Sequence, residues 1–274
     1  MNATDLRSAS SLDTEYALTA EQITAFRRDG FILLPAVASP DEIAEFRPLI
    51  QNAVRSKFSE QDEHGTTRTY GKYFGQVTNV WQRDEALKPF VFARRFAGIA
   101  AALMGVRGVR LYHDQALFKP AGGPGTPWHQ DHFYWPLDTV HSVTMWMPLV
   151  DAPRESGTMS FAAGSHRKGS LLDLSISEES HEQFEKLIAH ESLAVVDYAL
   201  KAGDATFHSG WTVHSAHANE TPHMREVMTV IYFADGTRLM EPDSTYRRAD
   251  LEAFHPGQRP GELAASPLNP LLFP

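Results

Sequence analysis

The chain reads as a mainly β protein with flanking helices around a double-stranded β-helix (jelly-roll, cupin-like) core. Three observations carry that reading. Short β-rich runs follow one another from about residue 106, at 109–118, 128–135, 143–150, 158–163, 193–198, 204–215 and 226–234. Turn clusters separate them: PAGGPGTP, DAPRESG, AGSHRKGS and KAGD. A single helical insertion, roughly 177–191, breaks the series. Strands at this spacing pack as two facing antiparallel sheets.

The segment before the core is helical. Residues 1–18 are polar and expected to fray. TAEQITAFRRDGF opens with Thr19 and Gln22 at capping-box spacing and stops at Gly30. FILLPAV (31–37) follows as a short buried strand. In SPDEIAEFRPLIQNAVRSKF, Ser39 is the cap, Pro40 the first helical residue and Glu42 the box partner, and Pro48 is expected to kink or divide the helix. Residues 59–83 form an irregular stretch rich in Gly, Tyr and Phe. RDEALKPFVFARRFAGIAAALMG is a further helical region stopped by Gly105. The last nineteen residues, 256–274, carry five prolines and read as coil. The organisation expected is one domain over 1–274: a flexible N-terminus 1–18, a helical part 19–105, a jelly-roll core 106–235 with a helical insertion 167–192, and a C-terminal coil 236–274.

Composition narrows the function classes. With 42% hydrophobic and 22% charged residues the chain is ordinary for a globular protein. A net charge of -9 argues against nucleic acid or an anionic membrane as partner, since both reward clustered Lys and Arg. The absence of cysteine removes disulfides, thiolate metal sites and a Cys nucleophile. The opening residues lack the apolar core of a secretory signal, and no apolar run approaches membrane-spanning length. The expectation is a cytoplasmic protein with a small-molecule substrate; oligomeric state stays open.

WHQDHFYW (128–135) places His129 and Asp131 one residue apart among aromatics. A His-x-Asp pair arises by chance about once in a chain of this make-up, so the pair alone proves little. On a strand, i and i+2 share a face and both side chains reach one point. Trp128, Phe133, Tyr134 and Trp135 make the surroundings expensive for a carboxylate unless a cation compensates it. Downstream, GDATFHSGWTVHSAHANETPHMREVMTVIYF (203–233) offers His208, His214 and His217 as a third ligand. Two His and one carboxylate on one face of a metal suit non-haem Fe(II) oxygenases. A zinc hydrolase would want a third His or a Glu base, and no HExxH occurs. The residues leave open an oxygenase, a jelly-roll isomerase or hydrolase using another divalent metal, and a metal-free small-molecule-binding module.

WHQD, SGTMSFAAGSHRKG (156–169) and GD…FHSGWTVHSAHAN…R (203–225) together resemble the phytanoyl-CoA dioxygenase-like family of Fe(II)/2-oxoglutarate oxygenases, in element order over roughly 20–235. That family places its distal His five residues before an Asn and eleven before an Arg. His214, Asn219 and Arg225 fit, which selects His214 and leaves His208 and His217 to supporting roles. The resemblance implies Fe(II), 2-oxoglutarate and molecular oxygen, with His129, Asp131 and His214 as metal ligands at the catalytic centre. It implies Arg225 for the far carboxylate of 2-oxoglutarate, Gln115, Thr144 and Trp146 for co-substrate or wall contacts, and Tyr134 and Trp135 against substrate. One departure stands out: the hydroxyl residue expected two places after the distal His is Ala216. Stretches 70–81 and 167–192 are expected as lids, and Lys119 and His132 as polar pocket residues. The implied reaction is oxidation of a C–H bond, foremost hydroxylation, with release of succinate and carbon dioxide. A filled carboxylate position argues against chlorination.

Overall fold

The computed structural model describes residues 11–63 and 75–274. In chain order its elements are α1 (Ala20–Asp29), β1 (Phe31–Leu34), α2 (Pro40–Glu63), β2 (Gly75–Thr78), α3 (Lys88–Val91), α4 (Arg94–Met104), β3 (Val109–Lys119), β4 (Thr126–His129), β5 (Ser142–Pro148), β6 (Met159–Ala162), α5 (Glu178–His190), β7 (Val195–Asp197), β8 (Ala205–Ser209), β9 (His214–Ala216), β10 (Arg225–Ala234), α6 (Thr245–Phe254) and β11 (Leu271–Phe273). Two antiparallel sheets face each other. The larger runs β1-β8-β5-β10-β3-β11, with β2 also on β3; the smaller runs β4-β9-β6-β7. This is the jelly-roll core expected from the strand spacing.

Period-two alternation decides what each face of the larger sheet meets. β10 lies between β3 and β5 and is buried along its whole length. Its Met228, Val230 and Tyr232 join Val143, Met145 and Met147 of β5 in the main core. Phe26 of α1, Phe46 and Ile50 of α2, and Phe96 and Ile99 of α4 close that core from outside. Burying each such side chain stabilises the fold by roughly 1.5–3 kcal/mol. The other parity, Arg225, Thr229 and Ile231 of β10 with Thr144 and Trp146 of β5, faces a cavity between the sheets. In β3 the register slips between the partners of Ile231 and Tyr232, so Tyr112 is an extra residue. This bulge turns Tyr112 into a second apolar cluster with Trp135 and Phe233 while His113 still lines the cavity.

The N-terminal signals behave as written. Gln22 N–H donates to Thr19 Oγ1 at 3.2 Å, Thr19 N–H returns a bond to Gln22 Oε1 at 2.8 Å, and Gly30 ends α1 at φ 87. Ser39 and Glu42 form the matching box on α2. The structure refines four expectations. Pro48 sits inside α2 without dividing it; it removes one backbone donor, and the apolar face carrying Phe46 and Ile50 still packs on the core. The region 83–105 splits into a 3-10 turn (Glu85–Leu87), α3 and α4. The 236–274 tail is not coil throughout: Ser244 caps α6, and β11 pairs with β3. The run 204–215 is two strands separated by a turn. Of the expected lid 70–81, residues 70–74 lie outside the described residues, and the rest is β2 followed by a 3-10 turn (Val80–Gln82). No helix among the described residues is long and apolar enough to cross a membrane.

Candidate active site

The cavity between the sheets measures ≈ 380 Å³. His129 ends β4 and His214 begins β9, and the two are directly paired across the smaller sheet. Asp131 stands elsewhere than the alternation argument placed it. The strand stops at His129, and Asp131 opens a 3-10 turn (Asp131–Phe133). The intervening Gln130 drives this: its Nε2 donates to the Gly169 and Trp211 carbonyls at 2.8 and 2.6 Å, and its Oε1 accepts from Leu171 N–H at 2.9 Å. Anchored away from the cavity, Gln130 swings the next carboxylate in. Donor atoms of His129, Asp131 and His214 all lie within 4.8 Å of one another.

Each imidazole is set for ligation. His129 Nδ1 lies 2.8 Å from the Pro127 carbonyl and His214 Nδ1 2.9 Å from that of Thr212. Carbonyls only accept, so both Nδ1 carry the proton and both Nε2 present lone pairs to the centre. The Nε2 atoms stand 3.4 and 3.5 Å from Asp131 Oδ1. The other oxygen, Oδ2, accepts from Thr144 Oγ1 at 3.0 Å and has His208 Nε2 at 3.3 Å. Thr144 and His208 are themselves register partners on β5 and β8. Burial lowers His214 well below the ordinary histidine range, and the neighbouring His129 adds to this. Burial opposes ionisation of Asp131, yet His214, His129 and His208 hold its carboxyl well below the usual range. Two imidazoles and a carboxylate converging on one point are a donor set that suits a divalent metal.

Arg225 starts β10 and lines the same cavity, 3% exposed. Its Nη1 donates to the Gly157 carbonyl and its guanidinium lies over the Trp146 ring, 5.4 Å from the centroid. Its Nε has no partner and no carboxylate pairs with it among the described residues. Burial lowers it to about 9, so it stays charged at neutral pH. Gly157 has φ 79, and a Cβ there would collide with the His217 carbonyl, so only glycine brings the residue-157 carbonyl to the guanidinium.

The remaining expected residues divide. Gln115, Thr144, Trp146, Tyr134 and Trp135 line the cavity, though the Thr144 hydroxyl is committed to Asp131. Tyr134 Oη accepts from Ile176 N–H at 2.7 Å, tying the 167–192 insertion to the cavity rim. Lys119 and His132 are not lining residues. Lys119 Nζ donates to the His217 carbonyl at 2.7 Å, and His132 Nδ1 bonds Ser142 Oγ at 2.9 Å. Asn219 braces the loop between β9 and β10 by donating to the Lys119, Pro120 and His223 carbonyls. Sequence reasoning missed Asp250 and Phe254 of α6, which line the cavity; the Ser244 cap and the four-residue spacing of Tyr246, Asp250 and Phe254 were the available signal.

The family model for Phytanoyl-CoA dioxygenase (PhyH) matches residues 26–227, well over half of the chain. The chain belongs to this family. Among PhyH relatives, an ectoine dioxygenase of Nocardia farcinica is 24% identical over 242 residues, covering 81% of this chain and 80% of its own. A phytanoyl-CoA dioxygenase of Arabidopsis thaliana is 23% identical, covering 86% and 95%. The epimerase SnoN from nogalamycin biosynthesis, solved with Fe3+, alpha ketoglutarate and nogalamycin RO, superposes with a TM-score of 0.73 at 26% identity, covering 92% and 97%. The carbocyclase SnoK reaches 0.75 at 24% identity, covering 93% and 96%. The PhyH chain is an iron- and 2-oxoglutarate-dependent dioxygenase, and its His129, Asp131 and His214 form a cluster that could hold a metal ion.

Proposed function

We propose that this PhyH enzyme hydroxylates a C–H bond of a small molecule, with His129, Asp131 and His214 holding Fe(II) and Arg225 holding 2-oxoglutarate. One observation carries the assignment: a buried, uncompensated guanidinium lines the same cavity as the three converging donors. An isomerase or hydrolase at the same ligands leaves Arg225 without a task, and so does a metal-free binding module.

When bound, Fe(II) with molecular oxygen and 2-oxoglutarate supplies the oxidising power, and succinate and carbon dioxide leave as co-products. The chain supplies position and charge. The two Nδ1–H bonds to backbone carbonyls fix the ring orientations of His129 and His214. Thr144 and His208 occupy Asp131 Oδ2, which keeps Oδ1 for the metal. The planar guanidinium of Arg225 matches a carboxylate with two parallel hydrogen bonds. Ala216 offers no second donor to that carboxylate, so Arg225 carries the contact with the walls formed by Trp146 and Gln115. Tyr134 and Trp135 stand on the substrate side. Relatives named for ectoine and for nogalamycin biosynthesis support a small-molecule substrate. For an acyl-CoA, the cavity lining among the described residues holds no Lys and no Arg besides Arg225 to receive the phosphates.

The test is anaerobic mixing of metal-stripped protein with Fe(II) and 2-oxoglutarate, reading the weak visible absorption of keto-acid chelation. The band should appear in the parent and be lost or weakened in His129→Ala, His214→Ala and Arg225→Ala. A parent that holds metal but shows no band refutes the oxygenase reading and moves the isomerase or hydrolase reading forward.

A further inference from the structure

We propose that Asp250 is the substrate anchor and that the substrate carries a positively charged nitrogen, held between the Asp250 carboxylate and the aromatic rings of Tyr134 and Phe254; this rests on the assignment of the Arg225 end to 2-oxoglutarate. Three observations support it. The first is placement. Tyr246, Asp250 and Phe254 recur every four residues along α6 and so share one face. Asp250 and Phe254 line the cavity, while the Tyr246 ring packs 5.6 Å from that of Tyr134. Asp250 and Phe254 reach the same cavity as the His-Asp-His cluster and pack against Tyr112 and His113 of β3.

The second is charge. Asp250 Oδ2 accepts from the Tyr112 hydroxyl at 2.8 Å, and no ion pair is formed by Asp250 among the described residues. Arg247, one turn away, is committed to Asp243 at 2.9 Å and to the Phe133 carbonyl at 3.2 Å. His113, on the adjoining wall, is lowered by burial to about 3 and stays neutral, so it is no counter-ion. Burial pushes the Asp250 carboxyl up to about 7; the Tyr112 hydroxyl pulls it back and Asp131 adds to the rise. A carboxylate in such a place costs free energy until a cation arrives.

The third is the lining. Tyr134, Trp135 and Phe254 surround this end, and ring faces attract a desolvated cation. A neutral alcohol would satisfy one hydrogen bond and leave the charge uncompensated. A protonated amine satisfies both. The cavity is thus polarised, with a fixed cation for a dicarboxylate at one end and a fixed anion for an ammonium at the other.

The experiment uses the full chain loaded anaerobically with Fe(II) and 2-oxoglutarate at pH 7.5. Matched probes differing only in charge, such as cyclohexylamine against cyclohexanol and benzylamine against benzyl alcohol, are titrated by tryptophan fluorescence and by perturbation of the chelation band. In the parent, at least one amine should bind about tenfold or more tightly than its alcohol, the discrimination expected of a charge-assisted contact. In Asp250→Asn the amine-to-alcohol ratio should fall to near one, with the alcohol as internal reference, and Asp250→Glu should restore part of it. Ratios near one for every pair in the parent, or a preference kept by Asp250→Asn, overturn the proposal while the chelation band upholds the oxygenase reading. A parent without the band overturns the oxygenase reading and the proposal with it.

Discussion

Arg225, Thr144, His208, His129 and His214 all stand on strands and meet in register: His129 opposite His214, His208 opposite Thr144, Arg225 at the head of the central strand. The other end of the cavity is assembled from excursions. Tyr134 follows a 3-10 turn, Ile176 comes from the insertion before α5, and Asp250 and Phe254 come from α6, beyond the last core strand. Ladder pairing holds the first group, whereas the second is held by side-chain bonds such as Tyr112 to Asp250 and Ile176 to Tyr134. The histidines and Arg225 sit on the ladder, Asp131 enters from the 3-10 turn at its edge, and the residues proposed to meet substrate come from outside the strands.

That contrast can be broken or sharpened by substitution. The largest effect is expected at the ladder end: His129→Ala or His214→Ala should reduce succinate formation by more than the roughly 10–100-fold typical of losing an outer supporting residue. Iron content after gel filtration should fall in parallel. Arg225→Ala should weaken 2-oxoglutarate binding by about 2–3 kcal/mol, roughly a hundredfold, in chelation titrations, and Arg225→Lys should recover only part of it. Thr144→Val removes a donor to Asp131 and keeps the shape of the wall. Metal affinity measured against a competing chelator should fall by about 10-fold, the low end of the supporting-residue range, because His208 still holds Oδ2.

Two further effects show in stability. Burial lowers His113 to about 3 and His255 to about 4. Through these two histidines the unfolded chain binds more protons than the folded one below about pH 6.5, a contribution that falls toward pH 4 by roughly 1.4 kcal/mol per pH unit for each. Asp114 and Asp250, both raised by burial to about 7, gain a proton on folding and act in the opposite sense between about pH 4 and 7. The His113 contribution is therefore read as a difference: urea melts of His113→Asn should lose about 1.4 kcal/mol per pH unit of slope relative to the parent across that range. Tyr134→Phe loses one acceptor for Ile176 N–H and should cost about 1 kcal/mol, read as a small drop in melting temperature.

The same division governs what could be read from the chain. His214, Asn219 and Arg225 are close in sequence because one strand, one braced loop and the next strand carry them, so spacing reports geometry. Asn219 fixes that interval by donating to the His223 carbonyl within the loop and to the Lys119 and Pro120 carbonyls at the end of β3. His129 and Asp131 were paired for a reason the structure replaces: Gln130, pinned to residues 169–171 and 211, turns the backbone, and a strand face is not shared. The supporting roles of His208 and Thr144 depend on strand register, which one chain does not display. Asp250 was hidden for a different reason. The proline-rich end after α6 drew the whole tail toward coil, although Ser244 carries a good cap and β11 adds a backbone rung to β3.

The facing pair His129 and His214 also bears on how the chain holds together. They lie 85 positions apart in sequence, and β4 and β9 are short strands of four and three residues. An ion gripped by both is a removable cross-link that closes that long loop, in a protein with no cysteine to make a permanent one. Iron supply would then govern persistence as well as turnover: a starved cell would hold a population whose smaller sheet opens more often and meets proteases sooner.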